Sequence, residues 1–272
     1  MNLFFPQWQG ANRRDPIVRG TETLKAYYGD QITHRVITES HTMITSKSIH
    51  HYSAIYNQAL RCRELLKKEK PERIFTIGGD CGIELMPVSY LNKRYKNLGI
   101  IWLDAHADAN TPASSTSKNF HGMALRQLCG TGDKSLGELI FSKVRPDQIL
   151  YLGVRDVDRP EAKWMEKENI FKSPEAEISS LLSTLRARHF QQLYLHFDVD
   201  VLDPKDYEHV LLPTKKGMRI AHAMKIIRIL KENFKVVGTS LTEVTAASQK
   251  ELVPIQSILN LLVFPSNNET SI

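Results

Sequence analysis

The 272-residue chain has no stretch of about 20 consecutive apolar residues, which excludes a membrane-spanning helix. Its first residues, Met1-Asn-Leu-Phe-Phe-Pro6, carry no basic segment leading into a long apolar one, so no signal peptide is expected. Cysteine is scarce: Cys62, Cys81 and Cys129 are odd in number and widely spaced. That pattern argues against a disulfide framework and points to a reducing, cytoplasmic location, with Cys62 and Cys129 read as small hydrophobes. The formal charge of +6 is spread along the chain, and no basic stripe with interleaved aromatics appears. Neither nucleic acid nor a membrane is therefore expected as a partner. The densest basic runs, Lys67-Lys-Glu-Lys70 and Lys93-Arg94, are expected at helix ends or surface loops. A linker of Gly, Ser or Pro is also missing, as is any internal repeat, so residues 1–272 are read as a single domain with a flexible tail at 265–272.

What is present is an alternation of helical and strand patterns. Tyr52, Ile55, Ala59, Cys62 and Leu66 share one helical face, and Pro71 ends that helix. Strands are expected at 73–77, into Asp104, at 148–154, into Asp198 and at 235–242. Further helices are expected near 84–93, from Ser173 with Pro174 at its first position, over 220–234 and over 254–264. Asn110 to Phe120 reads as a long polar loop. Nearly continuous apolar strands alternating with amphipathic helices predict an α/β fold, with three α/β/α layers around a mostly parallel sheet.

Asp104, His106 and Asp108 follow the apolar run Leu98–Leu103 at alternate positions, and Asp198 and Asp200 follow Leu193–Phe197 in the same way. In extended backbone, alternate residues share a face, so each strand end aims its acidic groups at one point. Four carboxylates placed together repel unless a cation lies between them. Hard oxygen donors with a histidine suit Mn²⁺ or a similar divalent ion. In such sheets ligands bind beyond the carboxyl ends of the strands, where Gly78-Gly-Asp-Cys81 and Glu243 are also expected. Gly78-Gly79 is not a phosphate loop, because no Lys-Ser/Thr follows. His50-His51 is not a metal pair, since neighbours on a helix do not share a face.

Gly78-Gly-Asp-Cys81, Trp102-Leu-Asp-Ala-His-Ala-Asp108, Ser117-Lys-Asn-Phe-His-Gly-Met123 and Phe197-Asp-Val-Asp-Val-Leu-Asp-Pro204 resemble, in order, the signature blocks of the arginase/agmatinase ureohydrolases. The resemblance implies a binuclear manganese centre and a homo-oligomer, a trimer or hexamer. It also implies hydrolysis of a guanidino compound to urea and an amine by a metal-bridging hydroxide. Asp104 and Asp198 then correspond to the bridging carboxylates, His106 and Asp200 to one metal site, and Cys81 and Asp108 to the other. Asp108 would also pass a proton to the leaving amine. His121 resembles the proton-shuttling histidine, and Glu243 the carboxylate that holds the guanidinium. Asn110, Ser117, Asn119 and Asp158 resemble the arginase residues around the amino-acid head group, which favours L-arginine or a related guanidino acid over a decarboxylated amine.

Four departures stand out. Cys81 occupies the place of a metal-binding histidine, and a thiolate favours softer ions. This leaves three outcomes open: a different metal such as Zn, Ni or Fe, one empty or loosely held site, or a core cysteine where no metal binds. With them stand two alternative functions, hydrolysis of another amidino or formimino compound with a different metal, and a non-catalytic family member. His196 shares the parity of Asp198 one pleat deeper, where the family often has a small residue. About 6–7 Å of strand separates the two, so a hydrogen-bonded core histidine is expected ahead of a ligand. Lys118 and the segment 212–218 replace glycine-containing family stretches beside the substrate.

Overall fold

The computed structural model describes residues 1–39, 43–173 and 176–264. Among these, eight strands form one sheet: β1 Asn2–Phe5, β2 His34–Arg35, β3 Ile74–Gly78, β4 Leu98–Leu103, β5 Ile149–Leu152, β6 Phe171–Ser173, β7 Gln192–Phe197 and β8 Lys235–Leu241. Their order is β2-β1-β3-β8-β7-β4-β5-β6, and every pairing is parallel. The helices are α1 Arg14–Tyr28, α2 Tyr52–Glu69, α3 Leu85–Arg94, α4 Ala124–Leu128, α5 Lys134–Leu139, α6 Arg159–Lys167, α7 Ile178–Ala187, α8 Ile220–Asn233, α9 Gln249–Leu252 and α10 Gln256–Leu262.

Residues of β4 alternate between the two faces. Leu98, Ile100 and Trp102 join a core with Ile55 and Leu66 of α2 and Val88 of α3. Ile101 and Leu103 join a second core with Leu24 of α1, Ile227 of α8 and Leu259 of α10. Burial on both faces is why this strand lacks polar alternation, and the result is the three-layer α/β/α arrangement that the pattern predicts. Both basic runs sit at the C-terminal ends of α2 and α3, where cations complement the exposed carbonyls.

Several local expectations change. Pro174 and Glu175 lie outside the described residues, and Ser173 closes β6 instead of capping a helix. Helix α7 begins at Ile178, and Ser173 Oγ accepts a hydrogen bond from the Glu177 N–H (3.0 Å). Pairing of Ser173 with Leu152 overrides a sound local capping pattern. The tail from residue 265 also lies outside the described residues. His50 and His51 precede α2 instead of lying on it. His51 packs edge-on against Trp8 and pairs with Asn12 Oδ1 (3.0 Å), a structural role.

Gly79 explains the glycine pair after β3. A Cβ at this position would lie 1.7 Å from the Gln7 carbonyl oxygen, so the two backbones meet only without a side chain. Asp80 N–H donates to that same carbonyl (2.9 Å), and its carboxylate accepts from Gly10 N–H (2.8 Å) and Gln7 Nε2 (3.0 Å). Gly79→Ala is expected to cost roughly 1–3 kcal/mol by overpacking. That corresponds to a melting midpoint about 2–12 °C lower in calorimetry for a chain of this size.

Candidate active site

The four central strands, β3, β8, β7 and β4, end side by side, and the acidic residues follow these ends. The same local device recurs at three of them. Asp80 Oδ1 accepts from Gly82 N–H (2.9 Å), Asp104 Oδ1 from His106 N–H (2.7 Å) and Asp198 Oδ1 from Asp200 N–H (2.8 Å). Each aspartate thus turns the chain two residues on. The clusters therefore do not arise from strand pleating as expected. β4 stops at Leu103, Asp108 adopts φ +48°, and Asp200 sits in a 3-10 turn. The side chains still converge, through turns rather than alternation.

A cavity of about 210 Å³ opens over these turns. Cys81, Asp104, His106, Asp108, His121, Asp198, Asp200 and Glu243 line it, together with Asn110, Ser117 and Asp158. Asn119 is the one expected site residue not on the lining. Its N–H donates to Ser117 Oγ (3.2 Å), and its Oδ1 is buried without a hydrogen-bond partner among the described residues.

Among the described residues, two groupings of possible ligand atoms occur, each within 4.8 Å. One holds Asp104, His106 and Asp200; the other holds Cys81, Asp104, Asp198 and His196. In the first, His106 Nδ1 lies 2.8 Å from Asp200 and 3.5 Å from Asp104. In the second, the Cys81 thiol donates to Asp198 Oδ2 (3.0 Å). Asp108 stands outside both groupings, and its Oδ2 is buried with no hydrogen-bond partner among the described residues.

Buried carboxylates dominate the electrostatics of the site. Burial, reinforced by neighbouring carboxylates, raises the pKa of Asp108 and Asp198, and it lifts Asp200 to about 6. Burial also raises the Cys81 thiol, with Asp108 and Asp198 adding to the effect. Burial would raise Asp104 too, but the neighbouring imidazoles of His106 and His196 hold it well below the usual range. Burial disfavours a charged His121, yet Glu243 Oε1 at 2.7 Å reverses the balance and raises its pKa. Dense buried carboxylates, clustered donor atoms and the unpartnered Asp108 Oδ2 all fit divalent cations.

The rim holds the candidate head-group residues. Asn110 Nδ2 donates to Asp158 Oδ2 (2.9 Å), and Asp158 is the N-cap of α6. Lys118 has φ +60°, keeping the conformation that suits glycine, and its ammonium folds onto the Pro112 carbonyl (3.1 Å). Arg155 joins the 212–218 segment to the site, donating to the carbonyls of Thr214 (2.8 Å), Asp200 (2.8 Å) and Gly153 (2.9 Å).

Sequence reasoning missed two buried glutamates. Glu161 accepts from the N–H groups of Ala109 (2.8 Å) and Asp158 (2.9 Å), tying the Asp108 loop to α6. Its signal was the Asp-x-x-Glu capping box at 158–161. Glu84, fully buried, faces His196 from the start of α3 and had no local signal.

Comparison with known proteins identifies the family. The family model described as Arginase family matches residues 18–252. An arginase from Staphylococcus aureus (strain MRSA252) is 32% identical over 204 residues, covering 70% of this chain and 68% of that protein. One from Bacillus caldovelox is 30% identical over 179 residues, covering 62% and 60%. The crystal structure of Entamoeba histolytica arginase in complex with L-ornithine superposes with a TM-score of 0.83 at 20% identity, over 95% of this chain and 97% of that one. A putative agmatinase from Clostridium difficile gives 0.70 at 17% identity, over 96% and 94%. The structures establish the shared fold; the family match and the Staphylococcus aureus relative establish kinship. This chain belongs to the arginase family.

Proposed function

We propose that this arginase-family hydrolase cleaves a guanidino C–N bond in L-arginine or a related guanidino acid, giving urea and an amine. The observation that carries the reading is a single cavity with a carboxylate cluster at its floor, the His121–Glu243 pair beside it and the Asn110–Asp158 pair at its rim. Asp104, His106 and Asp200 would hold one divalent ion, and Cys81, Asp108 and Asp198 the other, with Asp104 and Asp198 shared. Such ions, when bound, supply Lewis acidity that brings the pKa of water at the site toward neutrality.

The chain's own groups do the rest. Glu243 accepts charge-assisted hydrogen bonds from the guanidinium and fixes the carbon to be attacked. Asp108 has a free oxygen facing the cavity, suited to take a proton and deliver it to the leaving amine. His121 touches Glu243 and retains some solvent exposure, so it exchanges that proton with bulk water. Asn110 and Ser117 donate to the substrate α-carboxylate, and Asp158 accepts from its α-amino group. Manganese as the preferred ion, a trimeric or hexameric assembly and a cytoplasmic setting belong to the same reading. Their support is family membership, the oxygen-rich donor set and the three free cysteines.

One observation favours a second reading. The Cys81 thiol at the metal end suits a softer ion, and with it another amidino or formimino substrate. Urea release from L-arginine, agmatine and guanidinobutyrate, measured with added Mn²⁺, Ni²⁺ and Zn²⁺, separates the two. Arginine turnover is the expected result. Asp158→Ala is expected to lower kcat/KM for arginine about 10–100-fold, the loss of one hydrogen bond to a charged group, with much less effect on agmatine. No urea from any of the three substrates overturns the proposal.

A further inference from the structure

We propose that His196 is itself a metal ligand, forming with Cys81, Asp104 and Asp198 a mixed thiolate, imidazole and carboxylate site that selects a zinc-class ion. The inference deepens the binuclear reading above and rests on it. His196 is fully buried directly across the β4–β7 pairing from Trp102, and the two rings stack 3.7 Å apart at 20°. Its Nδ1 lies 2.9 Å from Glu84 Oε1, while Tyr194 Oη donates to Glu84 Oε2. With the proton on Nδ1 donated to Glu84, the lone pair of Nε2 is free.

That Nε2 is completely buried and has no hydrogen-bond partner among the described residues. Asp104 Oδ2 lies 3.4 Å away without hydrogen-bond geometry, and it already accepts from Trp102 Nε1 (3.1 Å). A histidine kept only for core packing has its polar atoms satisfied, because an orphaned buried nitrogen is costly. Here one nitrogen is anchored by a carboxylate and the other is aimed at three possible ligands. This is the carboxylate–histidine–metal arrangement by which proteins fix a ligand's tautomer and orientation.

The four donor atoms already lie within 4.8 Å of one another. An ion with bonds of roughly 2.0–2.3 Å needs to draw them only about 1 Å closer. Three of these residues line the cavity, and His196 lies just beneath its floor, so the ion enters from the substrate side. One sulfur and one imidazole among four donors favour zinc over manganese, the reverse of an all-oxygen set. The Asp104, His106 and Asp200 grouping keeps the harder donors, which makes the centre chemically asymmetric.

The test loads the purified full-length chain with Zn²⁺, Mn²⁺ or Co²⁺ and measures stoichiometry and affinity by chelator competition. Expected for the unaltered chain is one tightly held zinc, with a sulfur-to-cobalt charge-transfer band in the Co²⁺ form. Cys81→Ser should remove that band. His196→Ala should weaken the zinc site by more than 100-fold while the second site is retained, and Glu84→Gln by about 10–100-fold, as for outer groups that orient a ligand. Circular dichroism checks folding, and Glu84→Gln, which preserves shape, serves if His196→Ala does not fold. Unchanged zinc affinity in the folded His196→Ala and Glu84→Gln chains, alongside loss of metal in Asp200→Asn, overturns the ligand role and leaves the binuclear reading intact. No bound metal in the unaltered chain overturns both.

Discussion

Stripping divalent ions with a chelator is expected to abolish hydrolysis and to lower the melting midpoint by about 8–16 °C. Asp104, Asp108, Asp198 and Asp200 are all buried in one cavity. Burial and mutual repulsion raise three of their pKa values, so folding places these groups where their charged forms are unwelcome. A cation bound only by the folded chain offsets that cost. At free metal near 1,000 times its dissociation constant the linkage term is about 4 kcal/mol, and a chain of this length shifts roughly 2–4 °C per kcal/mol. Calorimetry with and without chelator, followed by metal readdition and a urea assay, checks both effects. Activity and midpoint both unmoved by chelation would sink the metal-centre reading.

The second large effect belongs to Glu243. Glu243→Gln keeps the size of the side chain and removes the charge that faces both His121 and the guanidinium. Truncating one side of a buried charge pair typically costs about 2–5 kcal/mol, so kcat/KM should fall by roughly 30–5,000-fold, largely through KM. His121→Ala should instead lower kcat by about 10²–10⁴, as a lost proton-transfer group does, with KM little changed. Because the two side chains touch at 2.7 Å, the double variant should lose less than the product of the two effects. Steady-state kinetics on the single and double variants measure this directly. A Glu243→Gln chain with unchanged KM would remove that residue from substrate binding.

Much of this was legible from local sequence. Apolar runs marked β3, β4 and β7, and a run of small and β-branched residues marked β8, each to within one or two residues, because strands buried on both faces favour such side chains. Missed elements had weaker signals. β1 is four residues long, β2 and β6 are short edge strands, and α1 carries Gly20 in its interior. That glycine is required by approach to the Val244 carbonyl, which a Cβ would meet at 1.7 Å. No local pattern reports such a contact across more than 200 residues.

The sequence by itself determined the order of the long buried strands and of the helices recognised between them, the placement of acidic residues at strand ends and the family. These depend on composition and spacing within a few residues. Tertiary structure decided which groups share a site. An extra residue at Val237 shifts the β7–β8 register between Leu193–Val236 and Tyr194–Gly238. Beyond that shift, Ser240 Oγ comes within 3.3 Å of His196 Nδ1. The start of α3 brings Glu84 to the same nitrogen across 112 residues of chain. His196 therefore fits the expected buried, hydrogen-bonded histidine, yet it also points a free nitrogen at Cys81, Asp104 and Asp198. Parity along one strand predicts which face a side chain takes. Only pairing between strands determines what waits there.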